Sequence, residues 1–248
     1  MASSSVTAHH LPPNRRNHQF NHRLLKTMRN VVVENAAKAV SGLADGATVM
    51  VGGFGGAGLP RTLIKAVLET GVRDLTVISN NAGADADDLS LWFAAKIVKK
   101  IICSYPRSAA VFGEQYRAGT VELELVPQGT LIERIRCGGA GIGGFYTPVG
   151  VGTVFADGKP SMEIGGKEYI LELPLKADFA MLKGRVADTV GNVVYNKTAR
   201  NYSPVMATAA NTVIVEVDDI VESGSLDPES IVTPCIFVDR IFKSEPRK

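Results

Sequence analysis

Histidine is missing from most of this 248-residue chain. The four histidines all lie close to the N-terminus: His9, His10, His18 and His22. Nucleophilic triads and Cys-His pairs need an imidazole to accept the proton of the attacking group. The sequence therefore excludes Ser-His-Asp and Cys-His chemistry from the part of the chain that can fold into a core.

Cysteine is scarce as well. Cys103, Cys137 and Cys235 are odd in number, far apart and never arranged as Cys-x-x-Cys. This spacing indicates neither a disulfide framework nor a zinc site, and we expect no metal. Isolated cysteines are most often small buried apolar residues in a reducing compartment. We therefore expect a cytoplasmic protein in which none of the three is a nucleophile.

The chain also lacks strong net charge and long apolar runs. Its formal charge is +2, and no Lys/Arg cluster is interleaved with aromatic residues, so a nucleic-acid partner is not expected. No apolar run approaches the roughly 20 residues that span a bilayer, so we expect no membrane partner. Because 45% of the residues are hydrophobic, the chain can fill the core of a large α/β domain.

Acidic residues are absent from the first 28 positions, where four Lys or Arg residues occur. Such a composition is found in mitochondrial presequences, but Pro12-Pro13 and the weak amphipathic pattern argue against one. We expect residues 1–28 to be a disordered extension, with a targeting segment, a tag or a misassigned start as alternatives. A single domain then spans residues 29–242, and residues 243–248 form a tail.

Glycine is concentrated where a short apolar strand ends. Val49-Met50-Val51 leads into Gly52-Gly53-Phe54-Gly55-Gly56-Ala57-Gly58, and Leu59-Pro60 follows. Glycine permits positive φ and close approach of a ligand to backbone N–H groups, and proline suits the first turn of a helix. We predict that residues 52–58 bind a ligand through their backbone, with an anionic group at the start of the next helix.

The same loop matches the Gly-x-Gly-x-x-Gly pattern of dinucleotide sites at Gly53, Gly55 and Gly58. That fingerprint also requires an acidic residue about 20 positions on, at the end of the second strand. Here the second predicted strand is followed by Asn80-Asn81. The match therefore favours a phosphate-tolerant glycine loop, and a nucleotide-dependent oxidoreductase is kept as an alternative.

Hydrophobic spacing alternates between strand and helix after the glycine loop. Thr130 and Glu133 form a capping-box pattern, and residues 138–170 are so rich in glycine that we predict no helix or long strand there. The alternation is typical of a single α/β domain with an open, mostly parallel sheet and helices on both faces. The predicted strands are 75–79, 98–103, 121–126, 170–173, 179–183 and 213–217, and the predicted helices are 35–40, 60–70, 89–95, 114–118, 130–136 and 204–210.

Several ordered blocks resemble the α subunit of family I coenzyme A transferases. Asp45-Gly46 followed by residues 47–60 is similar to the family signature. The resemblance extends over about residues 29–242 and implies a CoA-transferase-like fold, with a coenzyme A thioester as substrate and no cofactor. Further matching blocks are Ser79-Asn80-Asn81-Ala82-Gly83, Val126-Pro127-Gln128-Gly129-Thr130-Leu131, Gly138-Gly139-Ala140-Gly141 and Ala199-Arg200-Asn201.

The resemblance also implies a partner. In this family the β subunit carries a glutamate within Ser-Glu-Asn-Gly, which attacks the acyl-CoA thioester and forms covalent intermediates. No glutamate of this chain stands in that motif, and Glu222-Ser223-Gly224 has the wrong order. We therefore expect a β subunit to supply the nucleophile and this chain to be inert alone.

Two polar residues follow predicted strands. Asn80 is expected at the carboxyl end of a parallel strand, where the resemblance implies an amide donor to an oxyanion. Gln128 corresponds to a family position near the acid substrate. Each is alternatively an ordinary turn residue. Arg200-Asn201 could equally form an ion pair within the fold or a contact between subunits, and we leave it out of the predicted site.

The implied activity is transfer of CoA from succinyl-CoA to a 3-oxoacid by a heteromeric enzyme. Segments 103–108 and 231–238 are similar to the 3-oxoadipate branch, whereas segment 135–145 is equally similar to the acetoacetate and short-chain branch. We favour 3-oxoadipate. A noncatalytic assembly subunit is a further alternative.

Overall fold

The computed structural model describes residues 29–84, 86–106 and 109–244. The predicted extension at residues 1–28 and the last four residues of the predicted tail lie outside these ranges. The centre of the molecule is a sheet of seven parallel strands. In spatial order they are β13 (Arg240–Lys243), β11 (Ala210–Val217), β8 (Ala177–Lys183), β1 (Thr48–Val51), β2 (Leu75–Ile78), β3 (Val98–Cys103) and β4 (Glu122–Leu125).

Helices cover both faces of this sheet, because successive residues of a strand point to opposite sides. Val49 and Val51 of β1 join one apolar cluster, and Met50 joins the other. The first cluster includes side chains of α1 (Ala36–Ala39), α2 (Arg61–Thr70), α3 (Ser90–Ala94) and α4 (Ala110–Arg117). The second includes side chains of α5 (Gln128–Ala140) and α6 (Ser203–Thr208). The predicted α/β class with helices on both faces is confirmed.

Two small sheets complete the described chain. One has the order β5-β7-β6 and is antiparallel; its strands are β5 (Phe145–Thr147), β6 (Ser161–Ile164) and β7 (Lys167–Glu172). The other has the order β10-β9-β12, with β9 (Val186–Asp188), β10 (Val193–Val194) and β12 (Asp219–Val221). Gly165 and Gly166 join β6 to β7 with φ of 59° and 76°, as in a type I′ hairpin turn. The strands of the antiparallel sheet are only three to six residues long, so this sheet does not contradict the prediction that residues 138–170 hold no helix or long strand.

Helix α5, by contrast, corrects that prediction. It begins at Gln128, so Thr130 lies inside the helix and is not its N-cap. It continues through Gly138 and Gly139 to Ala140, and Gly141 is its C-cap. A Cβ on Gly138 would overlap the carbonyl oxygen of Leu175. A Cβ on Gly139 would likewise overlap the side chain of Thr208. Glycine is used here because the space is small, and the helix tolerates its lower propensity.

The other predicted elements are present with shifted ends. Helix α4 begins at Ala110, four residues before its predicted start, and β11 begins at Ala210, three residues before. Such shifts are ordinary for boundaries read from sequence. No helix among the described residues is long and apolar enough to cross a membrane.

Candidate functional site

The predicted site residues follow β1, β2 and β4 and therefore share one edge of the sheet; Ser104, which follows the strand between the last two, is not among them. The glycine loop, residues 52–58, follows β1; Asn80 follows β2; Ser104 follows β3; and Gln128 begins the helix after β4. Ligands of open α/β sheets bind outside the carboxyl ends of the strands. The fold thus places all the predicted polar and backbone groups where such sheets present them to a ligand.

The glycine loop contains a tight turn. Phe54 and Ala57 exchange two backbone hydrogen bonds of 3.0 Å, and Gly55 and Gly56 between them have φ of 55° and 84°. Positive φ at both central residues is the pattern of a type I′ turn. No residue that the structure describes accepts a hydrogen bond from the N–H groups of Gly55 or Gly56. The tip of the loop therefore has two backbone donors free to meet a ligand.

Gly53 shows why glycine is required before this turn. Its φ is 127°, a conformation that L side chains rarely adopt, and a Cβ would lie 2.5 Å from Cδ2 of Leu59. Its N–H donates to Oδ1 of Asn201 over 3.1 Å. Both the dihedral and the space thus exclude a side chain at this position.

Asn201 is a site residue that sequence reasoning missed, since the predicted site does not include Arg200-Asn201. Its Nδ2 donates to the carbonyl of Ala57 over 3.1 Å and to that of Ala199 over 2.9 Å. Together with the bond from Gly53, these contacts join both arms of the glycine loop to a turn about 145 residues later. Only the block Ala199-Arg200-Asn201 marked this turn in the sequence.

Asn80 is 5% exposed and is held by its neighbours. Its Nδ2 group donates to the hydroxyl oxygens of Tyr202, at 3.3 Å, and Ser104, at 3.4 Å. Its Oδ1 accepts from Nδ2 of Asn81 over 3.3 Å. These bonds are long, so the amide is held in place without being tightly bound. The oxyanion role of Asn80 stays a prediction.

Tyr202 connects Asn80 to the glycine loop. The Tyr202 ring is buried and stacks on Phe54 of the loop, with centroids 6.3 Å apart and planes at 24°. Phe54 is 43% exposed, so one part of its ring is free at the surface. The glycine loop, the aromatic pair and the Asn80 amide are therefore in contact with one another beside the ends of β1 and β2.

Gln128 lies farther along the same edge. It is exposed and is the first residue of α5, after Pro127. Since neighbouring strands are about 4.8 Å apart, two strand spacings put it about 10 Å from the end of β2. The structure does not bring Gln128 into contact with Asn80, and its substrate-binding role also stays a prediction.

The start of α2 corrects another expectation. The predicted anion at this helix start is the chain's own Glu216, whose Oε2 accepts from the backbone N–H groups of Thr62 at 2.9 Å and Leu63 at 3.2 Å. Glu216 is 4% exposed, and its Oε1 lies 3.5 Å from Nζ of Lys183. A buried carboxylate thus satisfies the helix terminus, so an external anion is not needed there.

An open groove of about 960 Å³ lies beside this helix start. Two of its cations have carboxylate partners: Lys183 pairs with Asp218 over 2.6 Å, and Arg61 pairs with Asp87. The groove is lined by five carboxylates and four cations, so its charge does not select for an anionic ligand. The glycine loop and Asn80 remain the better candidate site.

The cysteines behave as expected from their isolation. Cys103 and Cys137 are buried, and Cys235 is half-buried. Burial raises the pKa of the Cys103 thiol to about 12, although a backbone hydrogen bond involving Tyr105 acts in the opposite direction. A thiol with so high a pKa is protonated at neutral pH and does not attack a thioester. In the described ranges, no three His, Cys, Asp or Glu side chains are grouped to hold a metal.

The fold and the glycine-loop edge define an α/β protein that offers backbone donors and a buried amide at the carboxyl end of a parallel sheet. The sequence model of the family described as Coenzyme A transferase matches residues 33–244. The chain therefore belongs to the coenzyme A transferase family, as the blocks in its sequence predict. The dinucleotide alternative has no support, because β2 is followed by two asparagines where a carboxylate is required.

Two relatives cover nearly the whole domain. A 3-oxoadipate CoA-transferase subunit of Pseudomonas putida is 53% identical over 216 residues, which are 86% of this chain and 94% of that protein. A succinyl-CoA:3-ketoacid coenzyme A transferase subunit of Helicobacter pylori strain J99 is 47% identical, over 87% of this chain and 93% of that protein. Both relatives are transferase subunits, and this chain is similar to each over most of its length.

Solved structures agree on the fold. An acyl-CoA transferase from Escherichia coli O157:H7 matches with a TM-score of 0.79 and 23% identity, covering 87% of this chain and 47% of that chain. Glutaconate coenzyme A-transferase from Acidaminococcus fermentans matches with a TM-score of 0.76 and 17% identity, covering 86% of this chain and 75% of that chain. This chain thus spans about half the length of the Escherichia coli protein.

Proposed function

We propose that this chain is the α subunit of a heteromeric CoA transferase that moves CoA from succinyl-CoA to a 3-oxoacid, with 3-oxoadipate favoured. The observation that carries the proposal is the 53% identity to a 3-oxoadipate CoA-transferase subunit, over 94% of that protein. A match over nearly the whole domain supports the same kind of activity for this chain.

The nucleophile comes from the β subunit. No Ser-Glu-Asn-Gly stretch occurs in this chain, and Glu216 already accepts two backbone hydrogen bonds at the start of α2. In the proposed reaction a glutamate carboxylate of the β subunit attacks the thioester carbonyl and expels the CoA thiolate, giving a mixed anhydride. The thiolate then attacks the glutamyl carbonyl, succinate leaves, and the acceptor acid repeats the steps in reverse.

This chain contributes binding and charge stabilisation. The Asn80 amide donates to the oxyanion that forms when the thioester carbonyl is attacked. Free N–H groups at Gly55 and Gly56 meet the acyl-CoA, and the exposed Gln128 amide binds the carboxylate or the 3-oxo group of the acceptor. Each of these groups lies at the same edge of the sheet, which supports a shared role.

Substrate choice rests on smaller differences. Segments 103–108 and 231–238 favour 3-oxoadipate, but the 47% identity to a succinyl-CoA:3-ketoacid relative is only slightly below 53%. A subunit of an Escherichia coli acetate CoA-transferase is also 46% identical. The order we propose is 3-oxoadipate first, then acetoacetate or a short-chain acid.

The test is reconstitution with the β subunit, followed by comparison of kcat/KM for 3-oxoadipate, acetoacetate and acetate with succinyl-CoA as donor. We expect 3-oxoadipate to exceed the other two by at least about tenfold, a difference of about 1.4 kcal/mol in transition-state binding. A higher value for acetoacetate would overturn the substrate choice. Absence of transfer to any of the three, or full activity of the partner without this chain, would overturn the function.

A further inference from the structure

The turn after the short helical segment 197–200 has an unusual backbone. Asn201 has φ 28° and ψ −119°, and Tyr202 has φ −75° and ψ −16°. These angles are close to those of a type II′ turn with Asn201 at its first central position. Glycine is the usual residue there, because L side chains are strained at such angles. An asparagine at this point therefore needs a compensating reason.

The Asn201 side chain supplies that reason. Its Oδ1 accepts from the N–H groups of Gly53 at 3.1 Å and Tyr202 at 2.7 Å. Its Nδ2 donates to the carbonyls of Ala57 and Ala199. All the hydrogen-bonding capacity of its two donor protons and two acceptor lone pairs is thus matched. A glycine would relax the backbone and lose all four bonds.

The turn and the glycine loop also fit closely together. A Cβ on Gly58 would overlap the carbonyl oxygen of Ala199 and would lie 2.6 Å from Nδ2 of Asn201. Tyr202 directly follows Asn201, and its hydroxyl oxygen accepts a hydrogen bond from the Asn80 amide. One strained residue therefore sets the position of the loop and begins the segment that orients the Asn80 amide.

We propose that Asn201 is a positioning residue for CoA transfer: its side chain holds residues 52–58 in the shape that receives the acyl-CoA. The inference rests on the proposed function for its catalytic consequence. Its structural part, that Asn201 holds the loop, can be measured without any reaction. Strain is retained at Asn201 because the hydrogen bonds that fix the loop depend on this backbone geometry.

The activity test compares three variants in the complex with the β subunit. Asn201→Gly should lower kcat by about tenfold to a hundredfold with KM for succinyl-CoA within about threefold, because a displaced loop misaligns the reacting groups. Asn201→Ala should lose as much kcat and melt at a lower temperature than Asn201→Gly, because alanine keeps the strain. Asn201→Asp keeps both acceptor contacts and should fall between Asn201→Gly and the unsubstituted complex.

Asn196→Ala is the matched control. Asn196 directly precedes the segment 197–200, is exposed and makes no side-chain cap hydrogen bond, so its variant should keep the original kcat. Wild-type kcat in Asn201→Gly would overturn the inference. A loss of kcat in Asn201→Gly and Asn201→Ala that is proportional to the drop in melting temperature would also overturn the inference.

Amide hydrogen exchange separates this inference from the proposed function. In the full chain, exchange in residues 52–58 should become about tenfold faster in Asn201→Gly and stay unchanged in Asn196→Ala, since the bond from Gly53 is lost only in the first. Unchanged exchange in both would overturn the positioning role whatever the activity. If exchange rises as expected and the unsubstituted complex transfers no CoA, the proposed function fails and the loop-holding role of Asn201 stands.

Discussion

Two glycine-rich segments of this chain look alike in sequence and differ in structure. In the loop at residues 52–58, Gly53, Gly55, Gly56 and Gly58 have positive φ and shape a turn with free N–H groups. In α5, Gly138 and Gly139 are helical and lie against Leu175 and Thr208 with no room for a Cβ. The first segment needs glycine chiefly for its dihedral angles, and the second needs it for its size.

Because glycine serves two different purposes in these segments, a glycine-rich stretch of sequence does not by itself reveal its structure. Glycine density predicts neither disorder nor a ligand loop unless the dihedral and the space at each position are known. The loop lies at the carboxyl edge beside Asn80, whereas the two helical glycines bring α5 against α6 and the segment before β8. Substitutions in the two segments test the comparison, because Gly53 is restricted by both its dihedral angle and its space, whereas Gly138 is restricted by space alone.

The largest effect is expected at Gly53. Gly53→Val should abolish measurable CoA transfer, because a β-branched side chain resists a φ of 127° and meets Leu59. Gly71→Asn is the matched control, since Gly71 has φ 75°, asparagine tolerates that region, and nothing lies within 4 Å of a Cβ there. Steady-state kinetics on folded complexes decide the matter. Normal kinetics in Gly53→Val would show that the loop has no part in the reaction.

Helix α5 should respond through stability. Gly138→Ala is expected to cost about 3 kcal/mol of unfolding free energy, because the new methyl group meets the backbone of Leu175. Gly129→Ala in the same helix has open space around the methyl group and should be neutral or stabilising by up to about 1 kcal/mol. Urea denaturation measures both. Equal changes in unfolding free energy for the two variants would show that the lack of space at Gly138 is not the reason for its glycine.

Substitutions of Asn80 test whether the edge of the sheet beside the glycine loop is the catalytic edge. Asn80→Ala should lower kcat about a hundredfold with little change in KM, because an oxyanion donor acts after charge has developed. Asn80→Asp should be worse, since a carboxylate would oppose both the anion and the nucleophilic glutamate. Kinetics on complexes of confirmed composition measure this. A rise in KM alone for Asn80→Ala, or a fully active Asn80→Asp, would reduce Asn80 to a turn residue.

The smallest effect is expected at Glu124 of β4, whose carboxylate forms ion pairs with Lys100 of β3 and Arg134 of α5. Burial would raise the pKa of the Glu124 carboxyl, but hydrogen bonds from Lys100 and Arg134 outweigh it and hold that pKa below its ordinary value. Because the folded-state pKa is lowered, the stabilisation is present above the unfolded value of about 4.3 and is lost as the pH falls through the folded value.

Glu124→Gln should therefore cost about 1 kcal/mol or less at neutral pH, and the difference from the unsubstituted chain should shrink below about pH 4. Urea denaturation at pH 7 and at about pH 3 measures it. Glu122→Gln is the control, since that side chain is exposed on the same strand. A difference that grows in acid would contradict the assigned direction of the pKa.

Much of the fold follows from local pattern in the sequence. Apolar runs such as Leu75–Ile78 and the helix from Arg61 to Thr70 lie where their periodicity predicts them. The end of α5 could not be predicted, because its glycines are required by contacts with residues far along the chain, Leu175 and Thr208. Local propensity says that glycine weakens a helix, and tertiary packing overrides it at Gly138.

The candidate site, like the fold, could be predicted where it depends on local sequence and not where it depends on distant contacts. The loop and the place of Asn80 follow from where strands end, which is local information. Asn201 and Glu216 contact the loop and the following helix across about 150 positions, and a single sequence contains no signal for such pairs. The anion predicted at the helix start was right in chemistry and wrong in origin, since the chain itself supplies the carboxylate.

The central claim is that this chain shapes the site and stabilises charge while the β subunit supplies the nucleophile. The direct measurement is to incubate the complex with succinyl-CoA, digest it and locate the glutamate that carries CoA by mass spectrometry. The account predicts the adduct on the β subunit, no modification of this chain, and no CoA exchange by this chain alone. A CoA adduct on any glutamate of this chain would contradict it.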